Sequence, residues 1–157
     1  MRGILRICTL AAIVACTAIG LLQDHRADAA GPEALLGPLR ADATAESICE
    51  ALDRAGPNGL RWGVGLLDDP EPRARAGAAA YLGRRRSRVA VPHLIRLLRD
   101  PDASVRAAAA NALGTIADPR ALPFLERAMA DSHADAADAA LRAARAIRQR
   151  PDSPTEG

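Results

Sequence analysis

The chain repeats itself every 31 residues, and this period constrains its fold more than any other feature. Leu66-Leu67 recurs as Leu97-Leu98, Asp69-Pro70 as Asp100-Pro101, Arg75 as Arg106, and Ala78-Ala79 as Ala109-Ala110. Leu82-Gly83 recurs as Leu113-Gly114, Pro92 as Pro123 and Leu94 as Leu125. About 14 of the 31 positions are identical between these two units, more than a shared helical pattern gives, so a structural unit is duplicated. A third unit follows in phase, with Asp131 after Asp100, Ala139-Ala140 after Ala108-Ala109 and Ile147 after Ile116. Leu60, Trp62, Leu66 and Leu67 fit the second half of a degenerate leading unit. Atypical end units are expected of a stack, because one face of each meets water instead of a neighbour.

Each unit reads as two helices. Asp102 suits the N-cap of a helix carrying Val105, Ala109, Leu113 and Ile116 on one side, with Gly114 near its end. Asp118 and Pro119 open a second helix, since proline is tolerated where the N–H has no partner anyway. Pro123 delays its regular part to about Arg120 or Ala121, and Leu122, Leu125 and Met129 form its apolar face. The preceding unit does the same, with Pro72 at a helix start and Ser87 in the place of Asp118. One such hairpin cannot bury its apolar face alone, so the units must stack. Composition agrees with an all-α chain. Aromatics make up 2% of the residues and the apolar 49% is mainly Ala and Leu, which favour helix over strand and let backbones approach closely.

The string from Asp100 to Gly114, Asp-Pro-Asp-Ala-Ser-Val-Arg-Ala-Ala-Ala-Ala-Asn-Ala-Leu-Gly, resembles HEAT repeats in the short form called phycobilisome-lyase HEAT-like. The resemblance covers about residues 66 to 148 and implies a short α-solenoid of helical hairpins. It also implies a polar ladder between neighbouring units, made here by Asp69, Asp100 and Asp131 with Arg75 and Arg106. Ala137 stands where the third unit would have its Arg, so the ladder is expected to stop there. The last unit has only its first helix, running to about Gln149, before Pro151 and Pro154 break the pattern. A disordered tail is expected over 151–157.

Residues 1–29 read as a signal peptide. Arg2 and Arg6 lead, Ile7 to Leu22 is apolar, and a polar stretch ends in Ala27-Asp28-Ala29, the order a secretory signal needs. Cleavage is expected after Ala29. Two alternatives stand beside it: the 16 apolar residues retained as an anchor, or lipidation at Cys16 in the lipobox-like Ile13-Val14-Ala15-Cys16. After cleavage Cys49 is the one remaining thiol, and it fits a small buried residue beside Ile48 and Leu52. Residues 30–65 are then degenerate N-terminal capping helices and 66–150 the repeats. The product is expected to be exported, periplasmic or secreted, with membrane contact only through an uncleaved or lipidated N-terminus.

Catalytic motifs are scarce. Of three His, His25 lies in the leader, leaving His93 and His133. There is no metal-binding Cys/His spacing, no phosphate-cradling Gly-rich loop and no Gly-x-Ser-x-Gly elbow. HEAT-type enzymes of the deoxyhypusine hydroxylase class hold iron through His-Glu pairs, whereas here Leu94 follows His93 and Ala134 follows His133. The expectation is a protein-interaction scaffold with no catalytic activity and no cofactor; the alternative is a HEAT-like, lyase-type accessory enzyme. Net charge is +2, the basic residues are all Arg, and both signs are interspersed, which argues against a nucleic-acid partner.

What remains is a surface. Aligning the second helices gives one column of Trp62, His93 and Phe124 and another of Gly65, Arg96 and Arg127. Both lie off the apolar set Leu60, Val91, Leu122, Leu94 and Leu125, so they are expected to face outward. Aromatic and Arg side chains are favoured interface anchors, which makes Trp62, His93, Arg96, Phe124 and Arg127 the candidate protein-binding residues. A second candidate is Arg84, Arg85, Arg86 and Arg88, a cluster in a turn suited to an acidic partner or anionic lipid. Nucleic acid fits it least, since no aromatics interleave with the Arg.

Overall fold

The computed structural model describes residues 44–150, and the leader, its expected cleavage or lipidation sites and the tail lie outside them. Among the described residues seven α-helices follow one another without strands. They are α1 (Ala45–Arg54), α2 (Gly59–Gly65), α3 (Pro72–Arg84), α4 (Val91–Leu97), α5 (Ala103–Ile116), α6 (Leu122–Ala128) and α7 (Ala134–Arg148). Starts at residues 72, 103 and 134 keep the 31-residue step for the first helices, and starts at 91 and 122 keep it for the second. None of these helices is long and apolar enough to cross a membrane.

Local chemistry sets the boundaries. Thr44 Oγ1 caps α1 by accepting from Ser47 N at 3.2 Å, and Asp102 caps α5 by accepting from Ser104 N at 2.8 Å. One turn upstream the repeated Asp does a second job. Asp69, Asp100 and Asp131 accept from the backbone N–H two residues on, at 2.8, 3.0 and 2.9 Å, so each folds the chain towards its first helix. The second helices are short, seven residues each. Pro92 and Pro123 near their starts leave a 3₁₀ turn in front, Arg88–Ala90 and Pro119–Ala121. The regular part of α6 therefore begins at Leu122, slightly later than the sequence suggests.

The hairpin turns share an unusual backbone. Arg86 and Ala117, 31 residues apart, both adopt positive φ, +50° and +57°, and Gly56 does so at +57°. After α3 the Ser87 N–H reaches Leu82 O at 3.1 Å and the Arg86 N–H reaches Gly83 O at 2.9 Å, satisfying carbonyls that the helix end would leave unpaired.

Packing follows a single rule. Each first helix lies against the first helix of the next unit, α1 on α3, α3 on α5 and α5 on α7, while α4 and α6 pack on the first helix that follows them. The seam is built from Ala. Ala78, Ala79, Ala109, Ala110, Ala139, Ala140, Ala143 and Ala144 are all buried, with Leu82, Leu113 and Ile147 between them. Two close contacts between first helices are at glycines one period apart. A Cβ on Gly83 would lie 2.8 Å from Ala112 Cα, and one on Gly114 would lie 2.8 Å from Ala143 Cα. Cys49 is buried within this core, its Sγ 3.5 Å from Gly77 O, and burial pushes its pKa up.

The polar ladder lies along one edge of the stack. Arg75 Nε and Nη2 donate to Asp100 at 2.8 and 2.7 Å, and Arg106 Nε and Nη2 donate to Asp131 at 2.6 and 2.9 Å. Each Arg also reaches back with Nη1 to two carbonyls of its own leading turn, Asp69 and Pro70 or Asp100 and Pro101. One guanidinium thus ties two hairpins together through a bidentate pair.

Candidate protein-interaction surface

The second helices do not present the expected aromatic column. Trp62 is buried, 5% exposed, and belongs to the core, while Leu60 is turned out and 44% exposed. The reason is Gly63, which stands where Leu94 and Leu125 stand in the later units. The matching core volume comes from Tyr81 on α3, whose Cδ1 lies 3.1 Å from the place of a Gly63 Cβ and whose later counterparts are only Ala112 and Ala143. With no side chain at Gly63, the neighbouring indole is the large apolar group that completes this interface. Trp62 therefore packs in the core instead of facing outward as expected. His93 is half-buried on α4, and Phe124 on α6 faces solvent with 38% exposure.

The Arg column divides. Arg96 of α4 pairs with Asp68, both more than half exposed. Arg127 of α6 is exposed and makes no ion pair among the described residues. The turn cluster is also partly spent. Arg84 and Arg85 both pair with Asp53, at 3.1 and 3.2 Å, and Arg85 lies over the Tyr81 ring, 5.6 Å from its centroid. Arg86 occupies the left-handed turn position and is exposed like Arg88. The cluster is thus two cations sharing one carboxylate and two that form no ion pair among the described residues, not a set of four.

Between α4 and α6 the surface falls into a shallow concavity of about 180 Å³. Ile95, Leu98, Phe124 and Ala128 give it apolar walls, and Arg99 and Arg127 stand at its rim. Asp131 also borders it, but its carboxylate is held by Arg106, which with the His133 N–H lowers its pKa to about 2. Two of the candidate residues, Phe124 and Arg127, are therefore brought together, whereas His93, Arg96 and Trp62 lie outside the hollow. Ile95, Leu98 and Arg99 were not legible as site residues. Comparing equivalent positions pairs Ile95 with Glu126 and Arg99 with Ala130, while the hollow joins the end of one second helix to the body of the next. A search across units, not down columns, would find them.

Other polar groups near the stack are committed to structure. Asp118 is 6% exposed, accepts from Arg120 N and is bound by the Arg120 side chain, which holds its pKa below the ordinary value. His133 Nδ1 lies 3.2 Å from Arg106 Nη2. Among the described residues no three His, Cys, Asp or Glu side chains converge as donors for a metal ion.

Helix hairpins stacked at a fixed period, tied by an Arg-Asp ladder and closed by Gly-Ala contacts, define an α-solenoid scaffold. A family model described as HEAT repeats matches residues 61–147, more than half of the chain. The chain belongs to the HEAT-repeat family. No curated protein matches it in sequence. Among solved structures, human deoxyhypusine hydroxylase in complex with glycerol is similar, with a TM-score of 0.63 and 25% identity. The match covers 82% of this chain and 46% of that one, so the chain spans less than half of the human protein's length.

This likeness corrects one expectation. A chain without catalytic activity was inferred from missing linear motifs, but the similar human protein is an enzyme on the same fold. Catalytic groups on a solenoid come from separate repeats, so a motif search along the chain does not separate scaffold from enzyme.

Proposed function

We propose that the chain is a protein-interaction module acting outside the cytoplasm, and that the face formed by α4 and α6 is its binding surface. The observation that carries this reading is the hollow between Ile95, Leu98 and Phe124, an exposed aromatic beside unpaired Arg on a rigid frame. HEAT repeats commonly mediate protein interactions, and aromatic and Arg side chains are where interface energy concentrates. A hollow of about 180 Å³ holds a side chain, whereas sites for drug-sized ligands run to about 300–1,000 Å³. Export is supported by the leader: Arg2 and Arg6, the apolar run and Ala27-Asp28-Ala29.

Crosslinking the protein in its native envelope, followed by identification of what co-purifies, tests the reading. A specific partner retained by the wild type and lost with Phe124→Ala is the expected outcome. Retention at full strength by that variant sinks the binding face, and recovery of the protein solely from the cytoplasm with residues 1–29 intact sinks the location. A second reading draws on the likeness to human deoxyhypusine hydroxylase and makes the stack part of an enzyme of that type. Hydroxylation of a deoxyhypusine-bearing protein by the purified chain, followed by mass, would favour it.

A further inference from the structure

The charges around the α4–α6 hollow are not balanced, and the imbalance says what fits there. Three of the charged groups on this face already have partners: Arg96 with Asp68, Glu126 with Arg148, and Asp131 with Arg106. Arg99 and Arg127, at the rim, are exposed and form no ion pair among the described residues. The apolar floor is thus edged by two cations whose charge no neighbour cancels. Arg suits this role because its planar fork pairs with carboxylates in a fixed geometry.

We infer that the hollow takes an acidic peptide segment, with an apolar side chain seated between Ile95, Leu98 and Phe124 and flanking carboxylates on Arg99 and Arg127. The inference rests on the reading of this face as a binding surface and adds the chemistry of the partner. The two kinds of contact divide the work. The buried side chain supplies most of the affinity, and the rim charges supply selection and encounter rate. A flat anionic membrane would meet the rim cations but leave the hollow unfilled. Nucleic acid requires stacking platforms, and Phe124 is the one aromatic at the site.

The test is selection of a random-peptide display library on the immobilised full chain, followed by anisotropy titration of the enriched peptides. Enrichment of Asp and Glu beside Leu, Ile or Phe is expected, with binding that weakens as salt rises. The double variant Arg99→Glu/Arg127→Glu should weaken it roughly tenfold, since an exposed charge pair is worth up to about fivefold and reversal adds repulsion. Arg61→Glu/Arg73→Glu, equal in charge change but on α2 and α3 away from the hollow, should leave binding unchanged; helicity by circular dichroism guards against unfolding in both. Enriched peptides without acidic bias that still need Phe124 would overturn the acidic class and leave the binding face standing. Peptides indifferent to the Arg99/Arg127 reversal, or lost on the Arg61/Arg73 reversal, would also overturn it. Binding to phosphatidylglycerol vesicles through Arg99 and Arg127, with no peptide enriched, would make a membrane the partner instead. If no peptide is enriched and Phe124→Ala changes nothing, the binding face itself fails.

Discussion

Arg106 holds Asp131 of the next hairpin with two nitrogens, Nε at 2.6 Å and Nη2 at 2.9 Å, while its Nη1 donates to the carbonyls of Asp100 and Pro101 at 2.8 and 3.1 Å. The two side chains are only 12% and 10% exposed. Removing the guanidinium therefore strands a carboxylate and two carbonyls at the junction of α5 and α7. Arg106→Ala is expected to cost roughly 3 kcal/mol, the low end for breaking a buried pair. Arg106→Lys should recover little of it, because an ammonium cannot bridge both carboxylate oxygens and the carbonyls together. Urea unfolding of the three proteins, compared at one pH, checks both values.

The same pair makes stability depend on acid. Asp131 titrates at about 2 in the fold against an ordinary 3.8, with Arg106 the largest cause. A depressed folded pKa means that its contribution is complete above about 3.8 and is lost as pH falls through about 2. The stability gap between wild type and Arg106→Ala should therefore be widest near neutral pH and shrink between about pH 4 and pH 2. A gap that stayed constant across that window would show that Asp131 is not held by Arg106.

Glycine reports where the helices touch. A Cβ on Gly114 would sit 2.8 Å from Ala143 Cα and 2.9 Å from its Cβ, whereas one on Gly65 would meet nothing within 4 Å. Alanine is the better helix former by about 1 kcal/mol, so on propensity alone both substitutions stabilise. At Gly114 overpacking wins, and Gly114→Ala is expected to destabilise by about 1–3 kcal/mol. Gly65→Ala should instead stabilise by about 0.4–1 kcal/mol. Opposite signs of the shift in thermal midpoint are the decisive result.

The period made the stack legible because packing between identical neighbours forces identical residues to recur. Asp100, Arg106, Leu113 and Gly114 each touch a neighbouring unit or the shared core, so their spacing carried the fold. The left-handed turns at Arg86 and Ala117 were hidden, because neither residue type signals positive φ as Gly56 does. Trp62 was misread for a related reason. The column argument treats every unit as equivalent, and the leading unit sets Gly63 against Tyr81 at positions where the later units have Leu and Ala. The hollow was half visible: Phe124 and Arg127 stood out by type, while Ile95 and Arg99 enter only through the cross-unit geometry.

That exchange at the first interface makes its own prediction. Tyr81 is fully buried and its ring lies 3.1 Å from the place of a Gly63 Cβ, so either residue changed alone should fail. Tyr81→Ala leaves a cavity and is expected to cost about 3–5 kcal/mol. Gly63→Leu forces a side chain against the Tyr81 ring and should cost about 1–3 kcal/mol. Together, Gly63→Leu/Tyr81→Ala gives the leading unit the residues that the later units carry at the same two positions, Leu94 with Ala112 and Leu125 with Ala143. The double variant should then be more stable than Tyr81→Ala alone, with a coupling of about 1–3 kcal/mol in a double-mutant cycle. Its measure is the urea midpoint of all four proteins. Additive losses would mean that the leading interface is not a volume-swapped version of the others, and Trp62 would then need a different reason for being buried.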